Sequence, residues 1–545
     1  MTRTRGAVGA LIVILCALLT TPPAAAAPDA LPYPEREDYR IKAIQPDSWP
    51  DRDSLSGNNT GGVAVNLLWS DWEPVARQAP CAPEETAYDN RCYRVPPAVD
   101  EEIRDWTARG LVVTGVAYGT PAWAREGKAC SPVKADFDRF CTPRHAADYA
   151  RFTGLLAHRY NGLRGHGRVA DLVVMNEVNT NTWFDIGCGQ GVPCDRARWL
   201  AEIGELYVAA YDRVVAEQPA AKVLISLDNR FGPELEDLSA PEPTLSGQTV
   251  LRALAARAGE RRWRVAFHPY PKDLRRADFG ADDYPYVTYG NLGRLAGWLA
   301  AEFPGAVAAT DIQLTESGIS SAAPSTPDGQ AEAVCASFRA VLGTPGITNH
   351  VYHRMRDHPE ETAAGLALGL WQDERTPKPA WTTWALANRA DLSPPRLSCG
   401  FEDLPHTRLT RAHHPTRGHW ASSRPLPPGF AVEGSWRLLR RPAPNTVVLY
   451  ECGVAGHNLL STDPRCEGQP ALGPVGSIFT TPAPDRTPLH RCRTPHNGDH
   501  FVSMDPTCEG QHREGLLGYA LPCPGAGRGV SRQAARGRTM TWRAP

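Results

Sequence analysis

Apolar residues fall along this chain in two alternating patterns. Short runs rich in Val, Ile and Leu read as buried strands. They are YRIKAIQP (39–46), GGVAVNLLW (61–69), GLVVTGVAY (110–118), ADLVVMNE (170–177), AKVLISLD (221–228), WRVAFHPY (263–270), DIQLTES (311–317) and ITNHVYHR (347–354). Between them apolar positions recur at helical spacing, as in PAVDEEIRDWTARG, AADYARFTGLLAHRYNG, RWLAEIGELYVAAYDRVVAEQ and NLGRLAGWLAAEF. Eight strands alternating with helices over about 350 residues predict an α/β fold, a (β/α)8 TIM barrel. A doubly wound open sheet is the alternative, but no GxGxxG turn follows any of these strands.

Beyond about residue 395 the helical pattern stops and a period of 40 residues appears. LTRAHHPTRGHWAS starts at Leu409, LYECGVAGHNLLSTDPRCEG at Leu449 and LHRCRTPHNGDHFVSMDPTCEG at Leu489. Pro442, Pro482 and Pro522 keep the same spacing. Three such copies predict an all-β domain, a β-trefoil closed by threefold repetition, in preference to an incomplete propeller, whose blades usually number four to eight. GHW (418–420), GHN (456–458) and GDHF (498–501) recur at equivalent points, where they hold a turn or meet a sugar. The organisation expected is a signal peptide over 1–27, a barrel over 28–395 and a trefoil-like carbohydrate-binding domain over 396–545.

The leader reading rests on Arg3 and Arg5 ahead of the apolar run GAVGALIVILCALLT, then small residues up to about Ala27. That run is shorter than the roughly 20 residues a membrane span needs. A formal net charge of −2 over 545 residues gives no footprint for nucleic acid or a membrane surface. Fourteen cysteines fit an oxidising compartment, so a secreted, extracellular bacterial protein is expected. Close spacing predicts the disulfides Cys81–Cys92, Cys130–Cys141, Cys188–Cys194, Cys452–Cys466 and Cys492–Cys508, with Cys399 closing on Cys523 and Cys335 left as a free thiol.

In a barrel of this kind the chemistry sits at the C-terminal ends of the strands. The fourth strand ends in Asn176 and Glu177, the sixth in His268 and Tyr270, the seventh in Glu316. Trp123 follows the third, and Trp371 stands near the end of the barrel region. Two carboxyl groups facing each other across the mouth suit cleavage of a glycosidic bond, which needs a proton for the leaving oxygen and electron density for the anomeric carbon. Glu177 lies among the amides of Asn176 and Asn179, whereas Glu316 follows Thr315 and would meet the Tyr270 hydroxyl. No GxSxG elbow is present, and neither HPYPKD nor HRMRDH reproduces HExxH, so neither a serine nucleophile nor a metal or other cofactor is expected. Asp71 and Glu73 read as a polar loop after the second strand.

The motifs MNEVN and LTESG resemble the Asn-Glu and Thr-Glu signatures of clan A retaining glycoside hydrolases, and TPAW with NExN is most similar to the β-xylosidase-type members. The resemblance spans about residues 38–390 and departs at Val178, where many members have Pro. It implies Glu177 as acid/base, Glu316 as nucleophile, Asn176 as partner of the sugar 2-hydroxyl and Tyr270 as support for Glu316. His268, Trp123 and Trp371 are the further candidate substrate contacts, on an oligo- or polysaccharide. The alternatives are a catalytically silent carbohydrate-binding or cell-wall adhesion protein, and a transglycosylase on the same scaffold.

Overall fold

The computed structural model describes residues 30–36, 40–130, 140–387, 406–440, 442, 445–454, 456–483 and 486–523. The expected leader, the boundary near residue 395 and Cys399 lie outside the described residues. Eight parallel strands close a barrel: β1 (Lys42–Ile44), β2 (Gly62–Leu68), β3 (Val112–Tyr118), β4 (Val169–Val174), β5 (Lys222–Leu227), β6 (Arg264–Phe267), β7 (Ile312–Leu314) and β8 (Ile347–Tyr352), with β8 pairing back onto β1. Each lies within one of the apolar runs singled out above, except that β4 begins one residue ahead of its run. Alternate side chains fill the axis and the rest meet the helical shell, which is why these runs are apolar on both faces.

The end of the barrel away from the strand C-termini is plugged by a buried ion pair. Arg36 reaches in from the N-terminal segment and donates to Asp171 of β4 at 2.7 Å. The Tyr33 hydroxyl, Thr114 of β3 and Gln313 of β7 donate to the same carboxylate. Four elements thus converge on one anion, which ties the N-terminal segment to three strands. On β1 the buried Lys42 ammonium donates to the carbonyls of Trp384 and Ala387 at 3.0 Å, at the end of the last barrel helix (Pro379–Leu386). A cation there satisfies helix carbonyls that have no intrahelical partner.

Nine antiparallel strands follow: β9 (His406–His414), β10 (Gly418–Ser422), β11 (Ala431–Leu439), β12 (Thr446–Val454), β13 (His457–Ser461), β14 (Ala471–Phe479), β15 (Thr487–Arg493), β16 (His500–Ser503) and β17 (His512–Pro522). They form three like units in which the first strand pairs with both the second and the third. The third strands, β11, β14 and β17, pair with one another, so the units meet around a common centre. Leu409, Leu449 and Leu489, the repeat's own starting points, are all fully buried in that centre. At one end Leu439, Phe479 and Leu521 surround Leu386 of the last barrel helix.

Five of the expected disulfides are present. Two expectations are corrected: Cys335 is disulfide-bonded rather than a free thiol, and Cys523, expected to close on Cys399, is the free cysteine among the described residues. Helical periodicity around Cys335 shows that its face is buried but cannot show what reaches it from a distant segment. Among the described residues no helix is long and apolar enough to cross a membrane.

Removing Asp171 leaves the Arg36 guanidinium buried and unpaired. Asp171→Ala is therefore expected to destabilise the barrel by about 3–5 kcal/mol. Denaturant unfolding checks this, and a loss comparable to that of an exposed surface pair would show the plug to be dispensable.

Candidate active site

The chain leaves β4 through a turn in which Met175 and Glu177 hold left-handed backbone angles, with φ of 57° and 38°. Such angles in non-glycine residues cost of order 1–3 kcal/mol each and persist only where surrounding contacts impose them. The contacts are present. Met175 N–H donates to the Ala117 carbonyl, and Glu177 N–H donates to Ser226 Oγ at 2.9 Å. Asn179 donates to Asp228 at 2.5 Å and accepts from its backbone N–H at 3.0 Å, while Arg230 pairs with the other Asp228 oxygen. The second Asn of the NExN pattern is thus a latch between the ends of β4 and β5, not a substrate contact.

The turn delivers Glu177 to His268 at the end of β6. Glu177 Oε1 lies 2.8 Å from His268 Nδ1, and His268 Nε2 lies 3.1 Å from Thr315 Oγ1. From β7, Glu316 accepts the Tyr270 hydroxyl at 2.9 Å. Ligand-type atoms of Glu177, His268 and Glu316 all lie within 4.8 Å of one another, so the two carboxyl groups are close neighbours across the mouth. This spacing could also serve a cation, but Glu177 is already engaged by His268 and Glu316 by Tyr270. Such close approach belongs with the shorter class of carboxyl pairs, roughly 5–5.5 Å apart, rather than with pairs spaced about 6.5–9.5 Å apart to admit a water.

Their surroundings drive the two acids apart. Burial pushes the Glu177 carboxyl above the usual range, and Asp228 and Glu316 add to the rise against the opposing pull of His268. Burial acts upward on Glu316 too, but His353, His268 and the Tyr270 hydroxyl outweigh it and hold the group below the usual range. The two shifts run in opposite directions, so Glu177 is the readier of the pair to hold a proton and Glu316 the readier to ionise.

Asn176 is buried, and its Oδ1 has no partner among the described residues, so an acceptor remains free beside Glu177. Trp371 packs against Trp49 and Trp381 with its indole nitrogen buried and likewise unpartnered. Trp123 is half-buried, donates to the Glu73 carbonyl at 2.8 Å and carries the Arg91 guanidinium 4.5 Å over its ring. Glu73 is no free loop acid: it is buried between Arg91 and the Trp69 indole. Periodicity did not single out Ser226, Asp228, His353 or Glu361. His353 had a legible signal, since it ends the eighth strand run.

A family of unknown function, DUF5722, matches residues 100–392, more than half of the chain. The chain belongs to this family. No curated protein matches it. Among solved structures it is similar to a family 39 glycoside hydrolase from Bacteroides cellulosilyticus WH2, at 13% identity over 90% of this chain and 82% of that one, with a TM-score of 0.44. It is also similar to a monomeric β-xylosidase from Caulobacter crescentus CB15, at 13% identity over 78% of this chain and 84% of that one, TM-score 0.45. A third is native xylanase 10B from Thermotoga maritima, at 14% identity over 63% of this chain and 93% of that one, TM-score 0.39.

Beside the pair, Glu361 accepts from His353 and Arg354, and although burial acts upward, these partners lower its pKa to about 2. A depressed carboxyl stabilises the fold above its unfolded value and loses that contribution as pH falls through the folded one. The stability gap between the native protein and Glu361→Gln is thus expected to shrink as pH drops from the ordinary Glu value of about 4.3 toward the folded value. Unfolding curves at a series of pH values check it; a gap that widens on acidification contradicts the assignment.

Proposed function

We propose that this protein is a secreted retaining glycoside hydrolase of the clan A type, acting on an oligo- or polysaccharide. The observation that carries the reading is the carboxyl pair just beyond the ends of β4 and β7, with one oxygen of each within 4.8 Å, the first group shifted toward the neutral acid and the second toward the anion. In the first step Glu316 attacks the anomeric carbon while Glu177 gives its proton to the departing oxygen, leaving a glycosyl ester on Glu316. In the second, the Glu177 carboxylate takes a proton from water, which attacks the same carbon and releases Glu316. Net configuration is retained because each displacement inverts. Tyr270 keeps Glu316 ionised, and the free Oδ1 of Asn176 accepts the sugar 2-hydroxyl. His268, Trp123 and Trp371 are assigned as further substrate contacts.

The all-β region is proposed as a β-trefoil carbohydrate-binding domain, on the support of its three like units and the mutual pairing of β11, β14 and β17. Residues 396–545 produced alone are expected to show a β-rich far-UV spectrum and cooperative unfolding. A helical spectrum would refute this organisation. Export is proposed from the leader pattern and from the short-range disulfides.

Product NMR on aryl glycosides tests the reaction directly. Glu316→Ala is expected to abolish turnover, because no glycosyl ester forms. Glu177→Ala should retain more activity on good leaving groups than on natural linkages. Azide is expected to rescue Glu177→Ala with retained configuration and Glu316→Ala with inverted configuration. The opposite stereochemistry would exchange the two roles, and wild-type turnover by both variants would remove them from the chemistry.

A further inference from the structure

Two buried histidines of the β8 segment meet opposite surroundings. His350 Nε2 lies 2.8 Å from the Tyr289 hydroxyl, and its Nδ1 has no partner among the described residues. Burial pushes its pKa down to about 3, so it is neutral. His353, at the mouth end, has acceptors on both sides. Its Nδ1 lies 2.9 Å from Gln45 Oε1 and its Nε2 lies 3.1 Å from Glu361 Oε1. The Gln45 amide is oriented by its own Nε2, which donates to Asp47 Oδ1 at 3.3 Å. Asp47 is in turn held by Arg354, which donates to it at 2.8 and 2.5 Å. An amide oxygen and an ionised carboxylate only accept hydrogen bonds, so both ring nitrogens must carry hydrogen.

We propose that His353 is a permanently protonated positioning residue, a buried cation wired between Gln45 and Glu361 that keeps Glu316 ionised for nucleophilic attack. The inference rests on the reading of Glu316 as nucleophile. The groups facing the ring agree with it. Burial disfavours its charge, but Glu316 from β7 and Glu361 from the segment after β8 favour it, against a smaller opposition from Arg354. Tyr270 of β6 meets the ring edge-on at 6.4 Å, so one network joins the cation, the phenol and the Glu316 carboxylate. After burial, His353 is the largest influence on Glu316, and it acts downward. A histidine with a raised pKa is charged below its ordinary value and stays charged until pH passes the folded value, so the cation outlasts that of a free imidazole as pH rises.

Nitrogen-15 NMR of the histidine-labelled whole protein at neutral pH reads the ring directly, with His353 assigned by its loss in His353→Gln. Both ring nitrogens are expected at imidazolium shifts; one protonated and one bare nitrogen would overturn the proposal. This measurement needs no substrate, so a protein without glycosidase activity would count against the proposed function and leave the charge state decided. The second measurement is the pH profile of kcat/KM on an aryl glycoside that the wild type cleaves. In His353→Gln its acid limb is expected to move up by about one pH unit, with KM little changed. A folded variant with an unmoved limb would overturn the proposal. Should His353→Gln fail to fold, Glu361→Gln serves instead: its His353 ring is expected to begin titrating near neutral pH, and a ring that stays doubly protonated would overturn the wiring.

Discussion

Two carboxyl groups within 4.8 Å of each other, out of bulk water, cannot both carry full charge at low cost. Much of the barrel mouth resolves that conflict in one direction. At Glu177 burial, Asp228 and Glu316 favour the neutral acid, against the opposing pull of His268. Glu316 is placed among His353, His268 and the Tyr270 hydroxyl, which favour the anion. The left-handed angles at Met175 and Glu177 persist because the Ala117 carbonyl, Ser226 and the Asn179–Asp228 latch hold the turn from neighbouring elements.

That precision at one end depends on rigidity at the other. The Arg36–Asp171 pair draws the N-terminal segment, β3, β4 and β7 onto a single buried anion. Lys42 ties β1 to the last helix, across the seam where β8 pairs back onto β1. Both are charges that would be costly if left alone, so their satisfaction favours one arrangement over near alternatives.

The all-β region closes by a similar rule. Glu467 accepts from Ser461 in its own unit and from Arg491 in the next, at 2.5 and 2.6 Å. Glu509 does the same with Ser503 and with Arg411 of the first unit, both at 2.7 Å. At the remaining junction the charges are exchanged: Glu451 stands at the repeat position of Arg411 and Arg491, and Ser422 and Arg424 donate to it. Each junction thus joins neighbouring units through a charge-assisted hydrogen bond, with the carboxylate and guanidinium exchanged at one of the three.

Periodicity along the chain was enough to determine the eight barrel strands, the helices between them, the repeated β units and the strand ends that carry Glu177, His268, Tyr270 and Glu316. These are local properties: which face is buried depends on residues a few positions apart, and the end of a barrel strand defines the mouth. The runs at residues 39–46 and 61–69 form β1 and β2, though β1 keeps only three residues. Other features were decided only in three dimensions. They include the close approach of the two carboxyl groups, the opposite directions in which their acidities shift, the use of Asn179 as a latch, the contrasting surroundings of His350 and His353, and the disulfide at Cys335. Each depends on groups brought together from far apart in the chain, and on how completely packing removes water around them. A carboxylate or a histidine reads the same in the chain whether its neighbour across the barrel is a cation, an anion or nothing, and that neighbour determines its charge.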